Sequence, residues 1–143
     1  SPIQVAMAYG AIANGGTVYK PQLVKAVLDE DGKIVEAYDP VVRANVGEKG
    51  FGFGEILHGL SFVADPGGTA YSLRYRADNA DIAEWLKTEN ITVVGKTGTA
   101  QVVKLSKLVK HLEANDVPYE QRDHAWFVAV YPKEDPQIIV TVM

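Results

Sequence analysis

Residues 91–103, Ile-Thr-Val-Val-Gly-Lys-Thr-Gly-Thr-Ala-Gln-Val-Val, place β-branched side chains on both flanks of a polar, glycine-containing centre. No other stretch constrains the fold as much. Val, Ile and Thr lose side-chain freedom in a helix and pack well on a pleated surface, so the segment predicts a strand over about 91–103. Gly95-Lys96-Thr97 also resembles the end of a nucleotide-binding loop. The first glycine of such a loop would fall at position 90, which is Asn90, and residues 91–94 are too β-branched for a tight anion cradle. A helix should follow the Lys-Thr pair, but Gly98 and Val102-Val103 argue against one. The nucleotide reading is set aside. A strand with this centre offers different chemistry: a cation at Lys96, hydroxyls at Thr97 and Thr99, and a backbone made approachable at Gly98. These groups suit an anionic, peptide-like ligand lying along the strand edge. Side chains alternate along a strand, so Thr97 and Thr99 share a face and Lys96 takes the other; twist or a bulge decides how near Lys96 comes. The ordinary alternative is a solvated strand lysine.

Two more strands are predicted at 125–131 and 137–142, joined as a hairpin by Pro132-Lys133-Glu134-Asp135-Pro136. Upstream, Ser1 caps a helix, Pro2 suits its first position and Gln4 completes a capping box. Ile3, Met7, Gly10 and Ala11 share one face of that helix, and Asn14-Gly15-Gly16 ends it. Residues 23–28 and 34–35 flank a β-hairpin turn at 29–33. Phe53, Ile56, Leu57, Leu60, Val63 and Ala64 recur at helical spacing, which predicts a helix over about 48–64 that stops before Pro66. Residues 65–69 form a turn-rich loop, with Gly67-Gly68 read as a turn and not as a ligand contact. In 71–90, Ile82, Trp85 and Leu86 make one short helical face. Leu105, Leu108, Val109 and Leu112 predict a short amphipathic helix whose Lys104, Lys107 and Lys110 form a solvated face, followed by a loop over 115–123. Strands in the C-terminal half and helices in the N-terminal half make an α+β fold, an antiparallel sheet covered by helices.

The chain has 143 residues, 47% of them apolar and 22% charged, enough for one domain with a real core. A net charge of −4 gives no electrostatic case for nucleic acid or an anionic membrane. The absence of cysteine excludes disulfides and thiolate zinc sites, and His58, His111 and His124 show no metal spacing. No apolar run approaches the roughly 18–20 residues that span a bilayer, and no secretory leader opens the sequence. There is no initiator Met, and 137–143 stops inside a predicted strand. The expectation is a piece of a longer chain, with any targeting signal or anchor outside it.

Lys-Thr-Gly, with Ser-x-x-Lys and Ser-x-Asn, belongs to the motif set of penicillin-binding proteins and serine β-lactamases. Residues 95–101, Gly-Lys-Thr-Gly-Thr-Ala-Gln, resemble the third motif of the penicillin-binding transpeptidases, and their surroundings agree in chain order. SPIQVAMAYGAIANGGTVYKPQLVKAV (1–27) is similar to the segment preceding that motif in class B enzymes. DPGGTAY (65–71) resembles their Gly-Gly-Thr-Ala loop, and RDHAWFVAVYPKEDPQIIVTV (122–142) their closing hairpin. Arg122-Asp123-His124 and the long insert after the motif lean toward the elongation-type penicillin-binding protein 2. The match is weakest at 72–90 and 104–121.

This resemblance implies a partial penicilloyl-serine transferase fold, with 1–143 the C-terminal portion of a single transpeptidase domain. It implies a peptidoglycan D,D-transpeptidase acting through an acyl-serine intermediate on stem peptides, and binding β-lactams. By motif position Thr97 and Thr99 bind the terminal carboxylate, and Lys96 sets the positive potential and reaches toward the second motif. The Thr99 backbone N–H is an oxyanion donor, and Gly98 leaves room for the substrate backbone. No cofactor and no metal are implied. Cell-wall synthesis proteins are partners through the parent protein, nucleic acid is not, and a membrane is met only through an anchor outside this chain. The location implied is the bacterial cell envelope, at the extracytoplasmic face of the inner membrane.

The chain departs from the family at its reacting centre. Its four serines are Ser1, Ser61, Ser72 and Ser106, and three positions on stand Gln4, Ala64, Tyr75 and Val109, so none makes Ser-x-x-Lys. Two positions on stand Ile3, Val63, Arg74 and Leu108, so none makes Ser-x-Asn. Covalent catalysis needs a nucleophile with a base in reach. The expectation is one wall of an active site, inactive alone, with both missing motifs upstream. A non-catalytic binding or sensing relative is the alternative; a hydrolytic β-lactamase relative fits the surrounding segments less well. Asp123 and His124 read as a polar approach to the hairpin, and Trp85 and Trp126 as core or interface residues.

Overall fold

The computed structural model describes residues 1–47, 52–75, 78, 80–102 and 117–143. Helix α1 spans Pro2–Ala13, opened by the predicted capping box: the Ser1 hydroxyl and backbone nitrogen both donate to Gln4 Oε1, at 3.1 and 3.0 Å. Asn14 closes it by bonding both ways to Thr17, its Nδ2 to the Thr17 carbonyl and its Oδ1 from the Thr17 N–H, each 2.8 Å. Gly15 and Gly16 follow at φ 78° and 112°, and a Cβ on Gly16 would lie 2.3 Å from the Gly47 nitrogen. Only glycine fits that turn.

Strands β1 (Thr17–Tyr19), β2 (Ala26–Leu28), β3 (Ile34–Ala37) and β4 (Val42–Asn45) form two antiparallel ribbons, β1 with β4 and β2 with β3. The turn between β2 and β3 is the predicted one. Asp29 Oδ1 accepts the N–H of Asp31 at 3.1 Å and of Lys33 at 2.8 Å.

Helix α2 spans Phe53–Leu60, shorter than predicted; residues 48–51 lie outside the described residues. Residues 61–64 do not continue it. Their bonds tighten to three-residue steps, Phe62 N–H to the Gly59 carbonyl at 3.3 Å and Val63 to Leu60 at 3.4 Å. Val63 and Ala64 keep the apolar period because the core holds them, not because a helix does. Helices α3 (Ser72–Tyr75) and α4 (Ala80–Thr88) follow; α4 buries Leu86 and leaves Trp85 mostly exposed.

Strand β5 spans Val94–Ala100, a 3₁₀ turn covers Tyr119–Gln121, and β6 (His124–Tyr131) and β7 (Ile138–Val142) complete the hairpin. Residues 91–93 and 101–102, predicted as strand, fall outside the ladder, because β5 and β6 pair only from Val94↔Val130 to Ala100↔His124. The predicted helix carrying Lys104, Lys107 and Lys110 lies outside the described residues. The sheet order is β5-β6-β7, antiparallel as expected. Helix α1 lies against β6 and β7, and α2 against β5. Val94, Val128 and Val130 are buried on one face, while Phe127 on the other packs on Val63, Ala64 and Ala70.

Candidate functional site

Strand β5 runs from core to surface. Val94 and Gly95 are buried, Thr97 is half-buried, and Lys96, Gly98 and Thr99 are exposed. The register places Lys96 opposite Val128, Thr97 opposite Phe127, Gly98 opposite Trp126 and Thr99 opposite Ala125, with no bulge. Cross-strand partners share a face, so Thr97 and Thr99 lie on the Phe127 side and Lys96 on the other, as alternation predicts. The length of the lysine side chain closes the gap. Lys96 Nζ folds back around the strand and donates to the Thr97 carbonyl at 2.7 Å. The four motif residues therefore sit together at one exposed strand, which among the described residues pairs only with β6.

The two glycines of the motif strand face different surroundings. A Cβ on Gly95 would stand 2.4 Å from the Val128 carbonyl oxygen and 2.9 Å from Phe127 Cζ, while one on Gly98 would meet only Trp126 Cβ at 3.5 Å.

The turn at 61–70 contributes one group that sequence reasoning passed over. Thr69 Oγ1 lies 2.6 Å from Thr97 Oγ1, and either can be the donor. Gly67-Gly68 is indeed a turn, with Gly67 at φ 88°, but it presents the next side chain to the motif strand. No periodicity links the two threonines. The only trace in the sequence is a hydroxyl residue directly after a Gly-Gly turn.

Asp123 and His124 stand at the outgoing end of β5: Asp123 Oδ1 accepts the Val102 N–H at a long 3.4 Å, and His124 pairs with Ala100. Trp126 is half-buried, its Nε1 buried without a hydrogen-bond partner among the described residues. Among those residues no group of three or more His, Cys, Asp or Glu is disposed to hold a metal ion, and no helix is long and apolar enough to cross a membrane.

A family model, the penicillin binding protein transpeptidase domain, matches residues 1–143. The chain is 32% identical to the peptidoglycan D,D-transpeptidase MrdA of Haemophilus influenzae, over 100% of this chain and 20% of that protein. It is 31% identical to the stage V sporulation protein D of Bacillus subtilis, over 99% of this chain and 18% of that protein. It thus spans about a fifth of the length of these relatives. Among solved structures, the D,D-transpeptidase domain of a peptidoglycan glycosyltransferase from Eggerthella lenta has a TM-score of 0.60 at 24% identity, covering 99% of this chain and 26% of that one. Penicillin-binding protein A of Mycobacterium tuberculosis, as its penicillin G acyl-enzyme complex, has a TM-score of 0.58 at 20% identity, covering 99% and 25%. At those identities the likeness concerns the fold.

Proposed function

Because this chain belongs to the penicillin-binding protein transpeptidase family, we propose that it forms the Lys-Thr-Gly wall of the active site in a serine-type peptidoglycan D,D-transpeptidase of the elongation type. The chain is the C-terminal portion of a single transpeptidase domain, and the nucleophile comes from outside it. That serine attacks the penultimate D-Ala carbonyl of a stem pentapeptide, D-Ala leaves, and an amine of a neighbouring stem resolves the acyl-enzyme. Thr97 and Thr99 hold the terminal carboxylate. Lys96 supplies positive potential where the carboxylate docks and where charge develops. The Thr99 N–H donates to the oxyanion, and Gly98 lets the substrate backbone approach. β-Lactams bind as carboxylate-bearing mimics of the same peptide end. The enzyme works in the bacterial cell envelope, on the extracytoplasmic face of the inner membrane, beside other cell-wall synthesis proteins.

The observation that carries this reading is the exposure of Lys96, Gly98 and Thr99 on a strand whose outer side no described strand takes. A second supports the Thr99 role. In an antiparallel ladder the N–H and C=O of one residue point to the same side, and residues two apart point alike. The Thr97 carbonyl takes the exposed Lys96 ammonium, which favours Thr97 and Thr99 both addressing the outer edge.

Intact mass after incubation with benzylpenicillin tests the proposal, on the full-length protein and on this chain in parallel. The expected result is one covalent adduct on the full-length protein and none on the chain, whose serines lack a lysine three positions on. No adduct on either would favour the non-catalytic relative. An adduct on the chain itself would overturn the assignment of the nucleophile.

A further inference from the structure

We infer that Thr69 is a positioning residue of the anion site, setting the direction in which the Thr97 hydroxyl hydrogen points; this rests on the reading of Thr97 as a carboxylate ligand. Each threonine hydroxyl carries a single hydrogen and two lone pairs. With the two oxygens 2.6 Å apart, only one of the two hydrogens lies between them. If Thr97 donates to Thr69, it has no hydrogen left for a ligand. If Thr69 donates to Thr97, the Thr97 hydrogen is free to point outward. A carboxylate only accepts, so its arrival selects the second arrangement, and Thr69, Thr97 and the anion become a series of bonds that polarise one another.

The loop holds Thr69 in place for this. On one side Gly68 is wedged where a Cβ would lie 2.3 Å from the Val63 carbonyl and 2.4 Å from that of Phe62. On the other side Ala70 is buried and donates its N–H to the Val63 carbonyl at 2.8 Å. Both neighbours are clamped to the same core turn, and the residue between them is exposed. An exposed hydroxyl can bond to water at little cost, so folding does not require this contact. Its use lies with the ligand.

The test uses the full-length protein and second-order acylation rates with a carboxylate-bearing penicillin and with its methyl ester. Thr69→Val should slow acylation by the free acid about two- to threefold, because the bond between the threonines is present with and without ligand and only its strengthening of the Thr97–anion bond is lost. Thr69→Ser should restore it. The methyl ester keeps a carbonyl acceptor but lacks the charge, so Thr69→Val should slow its reaction less than that of the free acid. In a Thr97→Val background, Thr69→Val should add nothing, because both act through one group. A Thr69→Val rate equal to wild type overturns the inference. So does an equal loss for acid and ester that adds to the Thr97→Val loss, which would mark a structural role. A wild-type protein that forms no adduct at all overturns both this inference and the transpeptidase reading, and so separates that failure from this one.

Discussion

Gly95 and Gly98 lie on one strand and answer to different demands. Alanine at Gly95 would push its Cβ into the Val128 carbonyl, and part β5 from β6. Gly95→Ala should therefore cost about 1–3 kcal/mol, read as a lower denaturation midpoint. Alanine at Gly98 meets only ordinary contact with Trp126. Gly98→Ala should leave stability within about 0.5 kcal/mol of wild type; with Gly98 beside the substrate backbone, as proposed, it should still slow acylation. A Gly98→Ala protein that unfolds would show that the fold, not the ligand, requires this glycine. Lys96→Met keeps the side-chain stem and removes the ammonium; acylation should fall by about a hundredfold or more with little change in stability. The motif was legible in the sequence because Lys96, Thr97, Gly98 and Thr99 are contiguous. Thr69 was not, since its partner lies 28 residues away and no local rule joins them.

Helix α1 depends on its ends. Asn14→Ala removes both bonds to Thr17 and should destabilise by about 1–2 kcal/mol; Asn14→Asp keeps the acceptor and should recover part of the loss. On the same helix, burial pushes the Tyr9 phenol above its ordinary value of 10.0. The folded state then holds that proton more tightly than the unfolded chain, so stability falls as pH rises from 10.0 toward the raised value. Tyr9→Phe should flatten that alkaline limb of a stability–pH curve while leaving neutral pH little changed. The ends of α2 and β5 show what pattern can and cannot reveal. Apolar periodicity reports burial, so it ran on through Val63 and Ala64 after the helical bonds had stopped. β-Branched runs report extended backbone, but a strand needs a partner. Ile91 donates its N–H to the Leu86 carbonyl at 2.8 Å, and the ladder with β6 begins only at Val94.

At the scale of the molecule, apolar side chains stand open along the two ribbons and the outer strand. Leu23 is 96% exposed, Val35 67% and Ile34 60%, and Ile138, Val140 and Val142 alternate along β7 at half exposure or more. Exposed apolar side chains in such number favour association. The isolated chain should therefore sediment as oligomers that grow with concentration, whereas a monomer at high concentration would show that the exposed residues do not act as one patch. The sequence by itself determined the strand identity of the Lys-Thr-Gly segment, the β6–β7 hairpin, the Asn-Gly-Gly stop after α1 and the lack of Ser-x-x-Lys. Each of these depends on residues within a few positions, where conformational preference and motif spacing act directly. Only the tertiary structure decided that Thr69 meets Thr97, that Lys96 folds back onto the Thr97 carbonyl, and that Gly95 and not Gly98 is sterically required. Those outcomes depend on which backbone passes within a few ångströms of which, and close approach between distant segments leaves no period in the chain.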